Sequence, residues 1–296
     1  MHADHHYEIG SSHVACEDYA MSGTQEGLTY AILSDGCSAS KDSDVGARIL
    51  CHLAKSALMY LHRQGRLKDS HYIGEKFPSV FREIVTMKAL EARASLGLPY
   101  DAFDATLLVT FGADRGDKDP KWGYICFGDG VVVRRYREDE GIGTFAVRMW
   151  YDSGAPYYLS YGMSREKDAG YRECFGEQLR HNTFISASPD GDFKQEKVYD
   201  CSPCANYTHF ASGSLLDEIP VQIALFSDGI GTYEDPHGVH EPDMHMVQEA
   251  LMYKNTAGEF VKRRMKAMGK QRRARGYTHY DDVSCAAIHL GEFSDE

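Results

Sequence analysis

Leu28, Tyr30 and Ile32 alternate with smaller or more polar neighbours up to Ser34-Asp35-Gly36. That period of two predicts a half-buried strand closed by a carboxylate and a glycine. The same grammar returns twice: Val221 opens an apolar run closed by Ser227-Asp228-Gly229, and Trp122 opens one closed by Gly128-Asp129-Gly130. Near the C-terminus the order inverts, with Asp281-Asp282 opening the strand Val283 to Leu290. Phe103 to Phe111 reads as a further buried strand, and the polar run Asp114 to Pro120 as the turn after it. Val131 to Tyr136 is expected to pair with the Trp122 strand across Asp129-Gly130, because Asp-Gly between apolar runs is a strong hairpin signal.

Between these strands the spacing changes to three and four. Val45, Ile49, Leu50, Leu53, Ala57, Leu58 and Leu61 make one helical stripe, with Asp42 or Ser43 as its cap and Gly65 as its stop. A second helix is predicted from about Glu75, carrying Phe77, Phe81, Ile84, Leu90 and Ala94 to Gly97. A third helical region runs from about Asp243 to Arg275 and ends in the basic run that begins at Lys262. Residues 137–216 are rich in Tyr, Gly and Ser; short strands and long loops covering one end of a sheet are expected there. No composition break divides the chain, so 1–296 reads as a single domain with 137–216 as a loop-rich flap or insert. His2, His5 and His6 are expected on a floppy start, with opportunistic metal binding as the alternative.

Composition narrows the function classes. The chain has 296 residues, 43% hydrophobic and 26% charged, which is globular. Its formal net charge of -12 argues against nucleic acid or an anionic membrane as partner. It fits ordinary solubility charge and carboxylates neutralised by bound cations equally well. No apolar run is long enough to span a bilayer, and no apolar signal region opens the chain. The eight cysteines form no dense framework, so a reduced cytoplasm is expected. Cys201-Ser-Pro-Cys204 has zinc-knuckle spacing without a second pair. The basic run is either a solvated helix face or a phosphate-attracting surface near the carboxylates.

Asp35 and Asp228 each follow an apolar strand and Asp281 precedes one. Antiparallel neighbours would gather these ends around one point, with Glu17 and Asp18 nearby. Several carboxylates in contact must protonate or bind cations. All-oxygen ligation selects Mg²⁺ or Mn²⁺ over zinc, and two such ions about 4 Å apart can clamp a phosphoryl group for displacement. Metal-assisted phosphoester hydrolysis follows from the residues themselves.

The ordered set Glu17-Asp18, Ser34-Asp35-Gly36, Ala105-Thr106, Gly128-Asp129-Gly130, Ser227-Asp228-Gly229 and Asp281-Asp282-Val283-Ser284 resembles the metal-dependent Ser/Thr protein phosphatases of the 2C type. It spans about residues 9–290, and Gly36 to Ala47 is similar to a compact bacterial branch. The resemblance implies an αββα four-layer sandwich of class α+β, two antiparallel sheets flanked by helices. It implies hydrolysis of phosphoserine and phosphothreonine in proteins by a hydroxide bridging two Mg²⁺ or Mn²⁺ ions. Asp35, Asp228 and Asp281 would be the catalytic carboxylates. Asp35 would bridge the metals, with the Gly36 carbonyl as a further ligand. Asp228 and Asp281 would complete the first site, Glu17 the second, and Asp18 would act directly or through water. Asp129 with Asp228 would form the third metal site of some members. Asp282 falls where most members have Asn. His13 stands where many members place a phosphate-holding Arg, and Cys37 where eukaryotic members place a His. Those two replacements motivate a rival reading, a catalytically weak phosphatase-like binding module. A phosphoesterase for small phosphorylated molecules is a second rival.

Overall fold

A computed structural model describes residues 1–116, 120–138, 141–151, 154–175, 179–186, 194–201, 208–212 and 219–291. The chain opens with β1 (His2–Glu8), β2 (Tyr19–Gln25) and β3 (Leu28–Ser34), followed by α1 (Ser43–Arg63), α2 (Ser70–Glu75) and α3 (Phe77–Leu96). Next come β4 (Leu107–Ala113), β5 (Lys121–Phe127), β6 (Gly130–Glu138), β7 (Gly141–Tyr151) and α4 (Arg165–Phe175). Then β8 (Leu179–Ser186), β9 (Lys194–Cys201), β10 (Thr208–Ser212), β11 (Gln222–Phe226) and β12 (Tyr233–Glu234) precede α5 (Asp243–Ala250) and α6 (Phe260–Ala274). β13 (Thr278–His279) and β14 (Val283–His289) close the fold.

Two antiparallel sheets carry the architecture. One has seven strands in the order β1-β14-β11-β6-β7-β8-β9, the other five in the order β10-β5-β4-β3-β2. The period-two pattern explains how they stack. Ala31, Leu33, Leu108, Trp122, Val132, Leu225 and Ala286 point between the sheets and form a central core. The alternate residues of β3 and β4, Tyr30, Ile32, Leu107 and Val109, face α1 and α3. On the other side Val131, Val133, Ala224, Phe226 and Cys285 face α5 and α6. Helices, sheet, sheet and helices in that order are the αββα sandwich expected of this chain.

Several local expectations are corrected. His2, His5 and His6 belong to β1, which pairs with β14 along its full length, so the start of the chain is an ordered edge strand. Asp129-Gly130 is not a hairpin turn: β5 pairs with β4 and β10, and β6 with β7 and β11. Gly128 and Gly130, both at positive φ, carry the chain from one sheet to the other. The third helical region divides into α5 and α6. β4 starts at Leu107, preceded by a 3-10 turn over Tyr100–Phe103. Asp42 occupies the N-cap of α1 in a left-handed conformation, and its side chain makes no cap hydrogen bond. Within 137–216, β7, β8 and β9 extend the seven-stranded sheet and β10 edges the other, where short strands and long loops were expected. The side chains of Cys201 and Cys204 lie outside the described residues.

Candidate metal centre

The carboxylates converge from both sheets onto one end of the sandwich. β3 delivers Asp35 from the five-stranded sheet, and β11 and β14, paired in the other sheet, deliver Asp228 and Asp281. Asp129 sits on the crossing between the sheets, and Asp18 immediately before β2. The expectation of a cluster built from neighbouring strands is therefore met by one neighbouring pair and one strand from the facing sheet.

Each position is fixed by backbone contacts. Asp35 donates its N–H to Thr106 Oγ1 at 3.0 Å, and its carbonyl accepts from Thr106 N at 2.8 Å. Gly36 bridges Ala105, and a Cβ there would stand 3.0 Å from the Ser43 carbonyl group. Ser227 Oγ donates to Asp18 Oδ2 at 2.8 Å and accepts from Ser284 N at 2.9 Å. The hydroxyl before Asp228 thus locks β11, β14 and the N-terminal segment together.

The charges interact strongly. Asp18, Asp35 and Asp228 stand close enough for their charges to act on one another. Burial, then the charges of Asp18 and Asp228, push the Asp35 carboxyl well above the usual carboxylate range. Burial first, with Asp228 adding, pushes Asp18 up to about 7 against the hydrogen bond from Ser227. Burial and Asp228 also raise Asp129 strongly, and raise Asp281. Glu17 lies at the rim, its Oε2 accepting from Ser38 Oγ at 2.5 Å. His13 joins the rim: Nδ1 is 3.1 Å from Asp282 and Nε2 is 3.6 Å from Asp281. Burial pulls the His13 imidazole down, but Asp282, Asp281 and Glu17 raise it on balance.

The donor set fits a hard cation. Asp18 is 0% exposed, and its Oδ1 is buried with no hydrogen-bond partner. A buried carboxylate oxygen without a proton donor is costly unless a cation takes that place. The cluster is oxygen-only, which suits Mg²⁺ or Mn²⁺ and disfavours zinc. Among the described residues no three His, Cys, Asp or Glu side chains already close around one point as a finished cage. Mutual repulsion of uncompensated carboxylates accounts for such an open arrangement.

Three residues take roles that the sequence did not signal. Asp282, 2% exposed, accepts the N–H of Gly10, Glu17 and Asp18, which leaves Asp281 free to face Asp228. Tyr158, its phenol raised by burial, stands beside Cys37, Asp129 and Asp35, whose charges add to that shift. Asp104 is tied to Ser40, Ser160 and Lys167, joining the loop after Gly36 to the segment before α4. The basic run of α6 pairs elsewhere, Arg264 and Arg272 with Glu249 and Arg272 with Glu241, while Arg148 and His13 act on Asp129 and Asp281.

Residues 7–149 match the family model described as protein phosphatase 2C. Two solved structures of variants of a bacterial serine phosphatase have the same fold. One is 11% identical, covers 99% of this chain and 98% of that chain, and gives a TM-score of 0.52. The other is 10% identical, covers 98% and 99%, and gives 0.53. The serine-threonine phosphatase 2C of Toxoplasma gondii, 11% identical over 98% of this chain and 94% of that chain, gives 0.48. No curated protein matches the chain by sequence.

Proposed function

We propose, from the match of residues 7–149 to the family model described as protein phosphatase 2C, that the chain belongs to that family and is a phosphoprotein phosphatase, dependent on Mg²⁺ or Mn²⁺, that hydrolyses phosphoserine and phosphothreonine. The observation that supports this most is the convergence of Asp18, Asp35, Asp129, Asp228 and Asp281 from two sheets, with the unpartnered Asp18 Oδ1 among them. Asp35, Asp228, Asp281, Glu17 and the Gly36 carbonyl would hold two ions, and Asp129 with Asp228 a third. When bound, the ions supply Lewis acidity toward the phosphoryl group and lower the pKa of the attacking water.

The protein's own residues do the rest. The carboxylates are fixed by strand ends and backbone hydrogen bonds, so little reorganisation accompanies binding. Asp282 anchors His13 through Nδ1, which leaves Nε2 at the rim beside Ser38, in position to donate one hydrogen bond to a phosphate oxygen. A single donor from an imidazole is weaker than a bidentate guanidinium grip. Tyr158, buried beside Cys37, lies next to Asp35 and Asp129. Among the described residues no helix is long and apolar enough to cross a membrane. We place the activity in the cytoplasm, on phosphoproteins, with no role for nucleic acid or membrane.

The test is hydrolysis of p-nitrophenyl phosphate and of a phosphothreonine peptide by the purified chain with Mn²⁺. Activity should stop with chelator and in Asp35→Asn. Full activity in that variant would end the proposal, and metal binding without turnover would leave a phosphatase-like binding module.

A further inference from the structure

A groove of about 510 Å³ opens between α3 and the segment 157–172. Its α3 wall runs from Ser79 to Met87 at helical spacing, and Phe127 stands at its base. The opposite wall is shared with the candidate centre. Tyr157 and Tyr161 line the groove, while Tyr158 between them faces Asp35 and Asp129. Phe127 is two residues from Asp129. A chain whose phosphorylated side chain entered the cluster would have the groove within reach of its flanking residues.

The chemistry of the walls selects what can lie there. Arg172 is engaged by Asp168 at 3.0 Å, but Arg82 and Arg165 have no ion-pair partner among the described residues. Glu83 is the one carboxylate at the rim without a partner there. Met87 is 55% exposed on the same wall, an apolar, adaptable surface. The far wall is braced before anything binds. Tyr157 donates to Asp168 at 2.6 Å, and Lys167 holds Asp101 and Asp104 at 2.8 Å each. In a chain of net charge -12, an acidic partner is repelled over most of the surface, so two unpaired guanidiniums on a preformed groove define where it can settle.

We propose that this groove receives an acidic stretch flanking the phosphorylated residue of the protein substrate. Arg82 and Arg165 pair with its Asp or Glu side chains, and Met87 and Tyr161 pack against its apolar parts. The inference rests on the phosphatase reading and narrows it to acidic phosphosites.

Two phosphothreonine peptides, alike except for Asp/Glu or Lys in the flanks, are compared on the full chain with Mn²⁺, beside p-nitrophenyl phosphate. The acidic peptide should have the higher kcat/KM, through KM. Arg82→Glu and Arg165→Glu should each lower its kcat/KM about two- to fivefold. Turnover of p-nitrophenyl phosphate and of the basic peptide should not fall. The same peptides, fluorescently labelled, are also titrated by anisotropy. A preference for the acidic peptide that both variants abolish supports the groove even if no hydrolysis is seen, in which case only the phosphatase reading fails. Equal binding of the two peptides, or equal losses on both in the variants, overturns the groove proposal. Both arginines are at least partly solvent-exposed, so the charge reversals should fold; Gln at both positions provides the milder control.

Discussion

The Asp282 carboxylate accepts the Gly10 N–H at 2.7 Å, across 272 positions of chain. It also accepts the N–H groups of Glu17 and Asp18, so one buried side chain fixes the N-terminal segment against the start of β14. Gly10 is held so closely that a Cβ would lie 2.3 Å from the Asp281 carbonyl carbon. Asp282→Ala leaves three backbone donors without their acceptor and should cost about 3 kcal/mol in urea unfolding. Asp282→Asn, which keeps one acceptor oxygen, should cost less. Equal stability of wild type and the Ala variant would remove Asp282 from this role.

The pH dependence of the metal-free chain should report Asp18. Its folded pKa is raised from 3.8 to about 7, by burial first and by Asp228 in addition. A carboxyl raised on folding contributes full stability below its unfolded pKa and loses it as pH rises through the folded one. In chelator, wild type should therefore lose stability relative to Asp18→Asn as pH climbs from about 4 to about 7. Mn²⁺ at neutral pH should restore wild type more than the variant, because a cation replaces the proton. Urea midpoints across that range decide it: parallel curves would contradict the assignment.

Lys167 joins the site to the groove wall. Its ammonium lies 2.8 Å from Asp104 Oδ1 and 2.8 Å from Asp101 Oδ1, and Asp104 also accepts from Ser40 and Ser160. Lys167→Met leaves a buried carboxylate without its cation and should cost about 2–3 kcal/mol. Hydrogen exchange should quicken in 157–172 and in the loop after Gly36, and in neither β14 nor α6. Uniform acceleration across the chain would mean that Lys167 holds the whole fold and not this junction.

Most of the architecture was legible because both sheets bury opposite faces, so the period of two survives in β3, β4, β11 and β14. The acid cluster was legible because its members stand at strand ends, where Asp-Gly is conspicuous. The pairing of strands was not. Asp129-Gly130 has the residues of a hairpin, and the pairing of β5 and β6 in different sheets, with Gly128 and Gly130 at positive φ, shows a crossing instead. His2, His5 and His6 looked like a loose end because β1 owes its order to β14, far away in sequence. Tyr158 and Asp104 escaped notice for the same reason: the residues beside them, Cys37, Ser40 and Lys167, come from distant segments, and no local spacing encodes them.

Gly46 lies in the helical stripe of α1 yet acts through the space it leaves. A Cβ there would stand 1.5 Å from the Ala102 carbonyl oxygen, backbone against backbone. Gly46→Ala must push α1 off the Tyr100–Phe103 turn and should cost more than about 3 kcal/mol despite the gain in helix propensity. Gly65→Ala is the contrast. Nothing lies within 4 Å of its Cβ position, and only its φ of 72° opposes the change, so about 1 kcal/mol is expected. Urea unfolding of the two variants should separate close approach from backbone strain.

The basic run of α6 divides by burial. Arg272, 5% exposed, reaches Glu241 at 2.9 Å and also pairs with Glu249, while Arg264 donates to the Glu249 carbonyl at 2.7 Å. These cations hold α6 to α5 and do not act on the acid cluster. Arg272→Met removes the cation shared by Glu241 and Glu249, which keep His245 and Arg264 as partners, and should cost about 2 kcal/mol, whereas the double change with Glu249→Gln should recover part of that loss. Turnover per folded molecule should be unchanged in both, since the helix pair stands on the far side of the seven-stranded sheet from the central core. A selective fall in kcat, with stability intact, would return α6 to the substrate side and refute its purely structural assignment.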